Sequence, residues 1–454
     1  MYLRIGRVTA SSCDYREPAV FCDELLRSAL TGGAFAGAVA RARFFAWATD
    51  AAPRCKLLPV LACTDHLMRG ETRVARMYAK RALSVNQNDL HAQALYRRCL
   101  LRRPADPDLR GRFCDSPFDK LETHTQGEVY FCCPAWLPIP IGNLQTQSTE
   151  EIWNSPAAQD IRKSILDGSY RYCSRMHCPK LTANKPPKAS DVTKREHQKF
   201  IAAGQTRLSR GPRRLVLNHD RSCNLSCPSC RTKLIVARKS EQERMNRMAD
   251  QVLIPLFATA SKVHITGGGD AFGSAHYRHV LRSISRMRPA HLKVDLQTNG
   301  LLMASSWEEL DLDGLVDRVY VSIDATRAST YRVVRRGGSF ERLLDNLAFA
   351  AQKRREGQIN YVRLDFVVQT LNFREMPEAV ELVERFGFDG LKFQMIRSWN
   401  TYSPEAFAWH NIGSPDHPQF EELLEVLKDP RLRAAFIEFW GFHSVQPSIL
   451  TTAS

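Results

Sequence analysis

Between residues 213 and 397, six short apolar or β-branched runs alternate with helical text, and no other feature limits the fold as strongly. The runs are RLVLNH, KVHITG, LKVDLQT, DRVYVSID, YVRLDFVVQT and LKFQMI. Segments such as SEQERMNRMADQVLIPLFATA, FERLLDNLAFAAQKRRE and EMPEAVELVERFG separate them and read as helices. Strands joined by crossover helices lie parallel. Six βα units therefore predict an α/β fold with a parallel sheet, either open or curled into a partial barrel.

Ligands of parallel α/β sheets sit at the carboxyl ends of the strands, and the unusual residues of this chain cluster there. Cys223, Cys227 and Cys230 follow the first run, and Gly267, Gly268, Gly269 and Asp270 follow the second. Thr298, Asn299 and Gly300 follow the third, and Ser322 and Asp324 close the fourth. Gln369 and Asn372 follow the fifth, and Gln394 and Arg397 end the sixth. One shared site on one rim is the expectation.

The three cysteines stand in DRSCNLSCPSCR with C-x3-C-x2-C spacing. A four-iron cube takes four ligands, so three thiolates would leave one iron open. The competing reading is zinc, with His219, four residues before Cys223, as the fourth ligand. The glycine run reads as a tight turn or as backbone brought close to a ligand, where Asp270 would help hold an ammonium group. Ser322 and Asp324, two apart, should face one way on a strand and hydrogen-bond ribose hydroxyls. Alternatively, Asp324 caps the next helix. Arg335 and Arg336 read as a carboxylate clamp or as a solvated pair.

In this order, these motifs resemble the radical S-adenosylmethionine (SAM) enzymes over residues 213–397. The resemblance implies a partial (β/α)6 barrel with a [4Fe–4S] cluster on Cys223, Cys227 and Cys230. It implies S-adenosylmethionine on the open iron, near Gly267, Gly268, Gly269, Asp270, Asn299, Ser322, Asp324, Arg335, Arg336, Gln369 and Gln394. Reductive cleavage of that molecule would give a 5′-deoxyadenosyl radical that takes a hydrogen atom from a substrate. An electron donor such as flavodoxin or ferredoxin is implied as partner. No catalytic side chain is assigned.

Residues 109–181 hold a second cysteine group, Cys114, Cys132, Cys133, Cys173 and Cys178, in turn-rich text. This stretch resembles a SPASM domain, which implies one auxiliary [4Fe–4S] cluster on Cys114, Cys132, Cys173 and Cys178. Cys133 is the alternative to Cys132, and zinc the alternative metal. SPASM domains usually follow the barrel; this one precedes it. Residues 182–212 read as a basic, partly helical linker.

Residues 1–108 read as helical. GETRVARMYAKRALSVNQNDLHAQALYRRCL suggests two antiparallel helices broken at SVNQND, with Ala79, Ala82 and Leu83 on one face. The pair resembles a tetratricopeptide-type partner-binding unit, with an ordinary helical bundle as the plain reading. Cys13, Cys22, Cys55, Cys63 and Cys99 show no ligand spacing. Residues 398–454 read as helices, FEELLEVLKD and PRLRAAFIEFW, followed by a tail.

No run approaches the length of a membrane span, and the start lacks the apolar core of a signal peptide. The expectation is a cytoplasmic protein whose thirteen cysteines serve metal rather than disulfides. The net charge of +16 fits an acidic peptide or a phosphorylated substrate, or simply an arginine-rich surface. No nucleic-acid motif accompanies it. The expected reaction is oxidation or bond formation on a peptide or protein, with a sugar or aminocyclitol as the alternative substrate. No cysteine follows Cys230, so a thiol hydrogen donor for epimerisation is missing from the later strands. A non-catalytic scaffold is the remaining reading.

Overall fold

A computed structural model describes residues 72–85, 109–175, 178–182, 186–265, 267–399, 401–442 and 444–445, with positions 59, 62, 63 and 66. The expected second helix after SVNQND, Cys13, Cys22, Cys55, Cys99 and the final tail lie outside the described residues. The chain forms two compact units. One takes in described residues up to Cys114, with Ala135–Ile139 and Ser155–Thr206. The other takes in Asp115–Pro134, Pro140–Asn154 and the chain from Arg207 onward.

In the first unit, helix α1 (Thr72–Val85) buries Ala75, Tyr78, Ala79 and Ala82 against Ala62 and Cys63, with Leu83 at the margin. That is the face the spacing predicts. Small side chains allow the close approach; Cys63 behaves as a small apolar residue. Helix α2 (Pro156–Leu166) starts where Ser155 accepts a hydrogen bond from Ala158 N–H and Pro156 presets the first turn. Helix α3 (Arg195–Ala203) ends on Gly204 in the left-handed region and supplies the helical part of the linker.

The second unit is built on one ten-stranded sheet, ordered β10-β9-β8-β7-β6-β5-β4-β1-β2-β3. The six expected strands are β4 (Arg214–Leu217), β5 (Lys262–Ile265), β6 (Lys293–Thr298), β7 (Val316–Ser322), β8 (Tyr361–Val368) and β9 (Gly390–Met395). They pair in parallel, each with its neighbour in sequence. Helices α4 (Lys239–Met248), α5 (Ala275–Met287), α6 (Met303–Glu309), α7 (Ala328–Val334), α8 (Phe340–Arg355) and α9 (Met376–Phe386) make the crossovers. The sheet stays open, with β3 and β10 as its edges.

Two features differ from expectation. PRLRAAFIEFW is not a helix. Pro430–Arg433 makes one 3-10 turn, and Ile437–Trp440 forms β10, parallel to β9. A β-branched and aromatic tetrapeptide beside an unpaired strand gains more from ladder hydrogen bonds than from continuing a helix. At the other side, β1 (Lys120–Thr123) pairs in parallel with β4, and β2 (Glu128–Tyr130) and β3 (Gly142–Asn143) follow antiparallel. The cysteine-rich stretch thus lends three strands to the barrel sheet.

The strands bury one face completely. Leu215, Val263, Leu296, Val319, Leu364 and Leu391 are fully covered by the crossover helices. Each such side chain contributes about 1.5–3 kcal/mol.

A buried polar chain ties β1 to the crossovers. His219 Nδ1 lies 2.7 Å from Thr123 Oγ1, and its Nε2 lies 2.7 Å from His276 Nε2. His276 Nδ1 lies 2.7 Å from Asn246 Oδ1. Asn246 can only accept there, so the proton order runs from the Thr123 hydroxyl through both rings to Asn246. Both rings are neutral. Burial, then the neighbouring His276, holds His219 well below the usual imidazole value. Burial pushes His276 down to about 4.

An unfolded imidazole titrates near 6.5, so between about 6.5 and about 4 the unfolded chain binds a proton that the folded chain refuses. Stability is therefore complete above that window and falls as pH drops through it, by about 3 kcal/mol for His276 alone. We expect the urea midpoint to fall between about pH 7.5 and about pH 5, and the drop to shrink in His276→Gln. An identical pH slope in the variant would refute the assignment.

Candidate active site

The first strand ends at Leu217, and the cysteine loop begins six residues later. Asp220 shapes its entry: Oδ1 accepts from Ser222 N–H and Oγ, and Oδ2 accepts from Ser274 Oγ. Cys223 and Cys227 are buried and Cys230 is half-buried. Cys230 and Arg231 N–H both donate to the Cys227 carbonyl, at 2.9 and 3.0 Å, which coils the loop into a tight turn.

A donor stands at each sulfur. Cys223 Sγ is met by Leu225 N–H at 3.4 Å and Asn299 Nδ2 at 3.8 Å. Cys227 Sγ is met by Arg335 Nη1 at 3.8 Å, and Cys230 Sγ by Arg231 Nη2 at 3.5 Å. Burial, with Asp270 beside it, pushes the Cys223 thiol up to about 11, and burial also raises Cys227. Iron binding must displace those protons. Hydrogen-bond donors and two guanidinium groups around three sulfurs suit thiolates in a cluster. In such a cluster each sulfur binds its own iron. His219 is no fourth ligand, because both its ring nitrogens are already hydrogen-bonded to Thr123 and His276.

The loops expected to hold S-adenosylmethionine mostly brace one another. A Cβ on Gly269 would lie 2.4 Å from Ser222 O and 2.6 Å from Asp220 O, so the glycine run is close-packed against the cysteine loop. Only Gly267 faces away from that contact, toward Gln297. Asp270 accepts from Phe272 and Gly273 N–H with one oxygen, and from Thr298 Oγ1 and Asn299 N–H with the other. Its carboxylate fixes the second and third loops together. Asn299 in turn donates to Asn224 Oδ1 at 2.8 Å.

Ser322 and Asp324 do not share a strand face. β7 stops at Ser322, and Asp324 has φ +55°, which breaks the alternation. Asp324 is buried. It accepts from Val367 N–H at 2.7 Å and pairs with Arg335 Nε at 2.9 Å. Burial pushes this carboxyl up and Arg335 opposes it. Arg335 stays charged, held so by Asp324 and by Cys227 against the pull of burial. Arg336 turns outward and clasps the cysteine loop through Ser226 Oγ and Thr232 O. The two arginines therefore grip the loop instead of forming one free clamp. Asn372 donates to Asp324 O and Val367 O. Gln369 is buried with its Oε1 unpaired among the described residues.

Ser322 and Gln394 do face the open interior, and with them comes a set of residues the motifs did not flag. Along β5 to β9 most positions between the helix-covered residues are polar, with Val367 an apolar exception: Lys262 and His264, Asp295 and Gln297, Tyr320, Arg363 and Asp365, Lys392. Register joins them, since Asp295 pairs with His264, Tyr320 with Gln297 and Arg363, and Asp365 with Ser322 and Lys392. Asp365 accepts from Arg363 Nε and Lys392 Nζ, both at 2.7 Å, and from Gln297 Nε2 at 3.5 Å. Lys262 lies 3.3 Å from Asp295 and 3.0 Å from Asp317. The Arg363 guanidinium lies over the Tyr320 ring at 4.4 Å. Parallel strands covered on both faces read as continuous apolar runs. The interrupted alternation KVHI, KVDLQT, VRLDF and LKFQM was the available signal.

Two family models match. One is the SPASM iron–sulfur cluster-binding domain, over residues 114–179, and the other the radical SAM superfamily, over residues 217–383. Residues 217–383 belong to the radical SAM superfamily. The two domains imply S-adenosylmethionine and [4Fe–4S] clusters as cofactors. The GTP 3′,8-cyclase of Lactiplantibacillus plantarum is 31% identical over 132 residues, which is 29% of this chain and 39% of that protein. A probable GTP 3′,8-cyclase of Methanocaldococcus jannaschii is 24% identical over 182 residues, 38% of this chain and 56% of that one. The chain thus spans well under two thirds of these relatives' length. Streptococcus suis SuiB bound to S-adenosylmethionine aligns over 55% of each chain at 16% identity and TM-score 0.36, a likeness that decides nothing.

The cysteines of the SPASM match fall in both compact units, Cys114, Cys173 and Cys178 in the first and Cys132 and Cys133 in the second. In the first, Tyr170 is buried at φ +45° and donates to Arg112 O. Burial, then the nearby Cys114 and Cys173, raises its phenol. Lys180 Nζ stands 4.0 Å from Cys114 Sγ. In the second unit, Cys132 stands near Lys120. Burial would lower that ammonium, but Cys132 and Glu122 more than offset it and the net shift is upward.

Removing Arg335 leaves Asp324 buried without its counter-charge, which costs about 3–5 kcal/mol. We expect Arg335→Met to lower the urea midpoint of the anaerobically reconstituted protein. Asp324→Asn with Arg335→Met should recover most of it. No recovery in the double variant would show that the pair is not the source.

Proposed function

We propose that this radical SAM enzyme acts on a substrate whose reacting portion is polar and ionised, and carries it to net oxidation or bond formation. The observation behind the proposal is the charged inner face, where Asp365 binds two cations and Asp295 pairs with Lys262. Fixed charges in a half-buried setting reward a ligand that exchanges ion pairs with them and penalise an apolar one. The curated relatives carry the name GTP 3′,8-cyclase, an activity on a polar small molecule, which agrees with this reading.

When bound, the reduced cluster and S-adenosylmethionine supply a 5′-deoxyadenosyl radical. The chain's own groups do the rest. Cys223, Cys227 and Cys230 hold the cluster. Gly267, Ser322, Gln369 and Gln394 are the candidates left to contact the bound S-adenosylmethionine. Arg363, Asp365, Lys392 and Gln297 orient the substrate. On their sequence pattern, Cys114, Cys132, Cys173 and Cys178 would hold an auxiliary cluster, with Cys133 the alternative to Cys132, and it would supply an electron acceptor there.

A peptide substrate is the second reading, favoured by the rim. Tyr402 lies close enough to Cys227 and Arg336 to feel their charge, and His410 stacks on it at 4.3 Å. Trp409, edge-on to His410, is exposed, as is Trp399. Aromatic side chains at a mouth suit a peptide backbone.

Anaerobic incubation with S-adenosylmethionine, dithionite and two panels, short peptides and polar small molecules, tests both readings. Anaerobically purified protein should carry about eight irons for two cubes. Cys223→Ala should abolish 5′-deoxyadenosine. Asp365→Asn should raise substrate KM about tenfold, one ion pair's worth, while slow uncoupled cleavage of S-adenosylmethionine continues. A product made from an apolar substrate with unchanged KM in Asp365→Asn would overturn the proposal.

A further inference from the structure

The outer side of the cysteine loop carries a surface that the chemistry above does not use. Residues 221–248 contain seven cations and two carboxylates. Six of the cations, Arg221, Lys233, Arg238, Lys239, Arg244 and Arg247, are exposed. None of the six forms an ion pair among the described residues. Exposed Leu234 and Val236 sit among them, more than half accessible at 54% and 58%. A solvated charged face has no reason to display two aliphatic side chains at its centre; a docking face does.

The surface encloses a cavity of about 260 Å³. It is lined by Ile235, Val236, Met245 and Met248, by Arg221 and Arg244, and by the β1–β2 turn, Thr125–Gly127. Methionine gives such a wall the adaptability that a transient partner needs. Strand order sets its place: the β1–β2 turn lies on one side of the β4 loop, and the charged inner face of β5 to β9 on the other.

The contact with the cysteines is direct. Cys223 N–H donates to Ile235 O at 2.9 Å, and Ala237 N–H donates to Ser222 Oγ at 2.9 Å. Arg231 bridges Cys230 Sγ, Arg221 O and Gly268 O. The apolar patch is therefore one hydrogen bond from Cys223.

We propose that this surface docks an acidic one-electron carrier protein, which reduces the cluster held by Cys223, Cys227 and Cys230. The inference rests on the reading that those cysteines hold a cluster. One electron passes from the reduced carrier to the cluster; the carrier is oxidised by one electron, and no bond or proton is exchanged. The cations steer an acidic partner and hasten encounter. Leu234, Val236 and the methionine wall provide the apolar centre of the contact.

The test uses the reconstituted holoenzyme and a bacterial flavodoxin. In Arg238→Glu/Lys239→Glu/Arg244→Glu, flavodoxin Kd by biolayer interferometry should weaken at least about tenfold. The charge-neutral triple Gln variant should fall between. Flavodoxin-driven 5′-deoxyadenosine formation should fall in parallel, whereas dithionite-driven formation should stay within about twofold of the parent. Unchanged flavodoxin Kd in the triple Glu variant overturns the proposal, as does loss of substrate binding with flavodoxin affinity intact. If the parent forms no 5′-deoxyadenosine with dithionite, the cluster reading has failed, and the Kd comparison still judges the surface.

Discussion

A parallel strand in an α/β protein ordinarily carries apolar side chains on both faces, yet β5 to β9 do so on only one. Val263, Leu296, Val319, Leu364 and Leu391 go under the helices, while His264, Asp295, Gln297, Tyr320, Arg363, Asp365 and Lys392 go to the other face. That asymmetry gives the sheet one apolar face and one polar face, and charge on the polar face needs partners where it is buried. The charges satisfy one another across the ladder, and the register that aligns Asp365 with Ser322 and Lys392 is the same register that buries the leucines and valines.

The rim above this face is organised around the cysteine loop. Asp270 ties the second loop to the third, Asp324 and Arg335 tie the fourth crossover to Cys227, and Arg231 and Arg336 tie the loop to itself and to its neighbours. Few of these contacts leave a side chain free for a ligand. They fix where the sulfurs stand, which is the condition for chemistry that depends on distance and exclusion of water.

The sheet also runs through the boundary that the cysteine patterns suggest. β1 to β3 lie within the SPASM match, yet β1 is the parallel neighbour of β4, and Thr123 joins the histidine chain that reaches Asn246. The unusual order, with the cluster-binding domain first, thus places a strand of that domain against the strand that launches the cysteine loop.

The six βα strands, the cysteine loop and the rim motifs were legible in the sequence because each is a local pattern: periodicity, short spacing, turn residues. IEFW was misread as helix because its strand exists only where β9 offers an unpaired edge. Asp324 and Arg335 looked like ligand groups because sequence shows that they are charged and close, but not that they face each other. The inner face lay hidden in plain alternation, since a polar residue every second position means solvent-facing in one sheet and chamber-lining in another. The sequence by itself determined the order of the six βα units, the cysteine spacing and the family resemblance. The tertiary structure decided which charged groups meet each other, because such pairings span dozens of residues and depend on strand register.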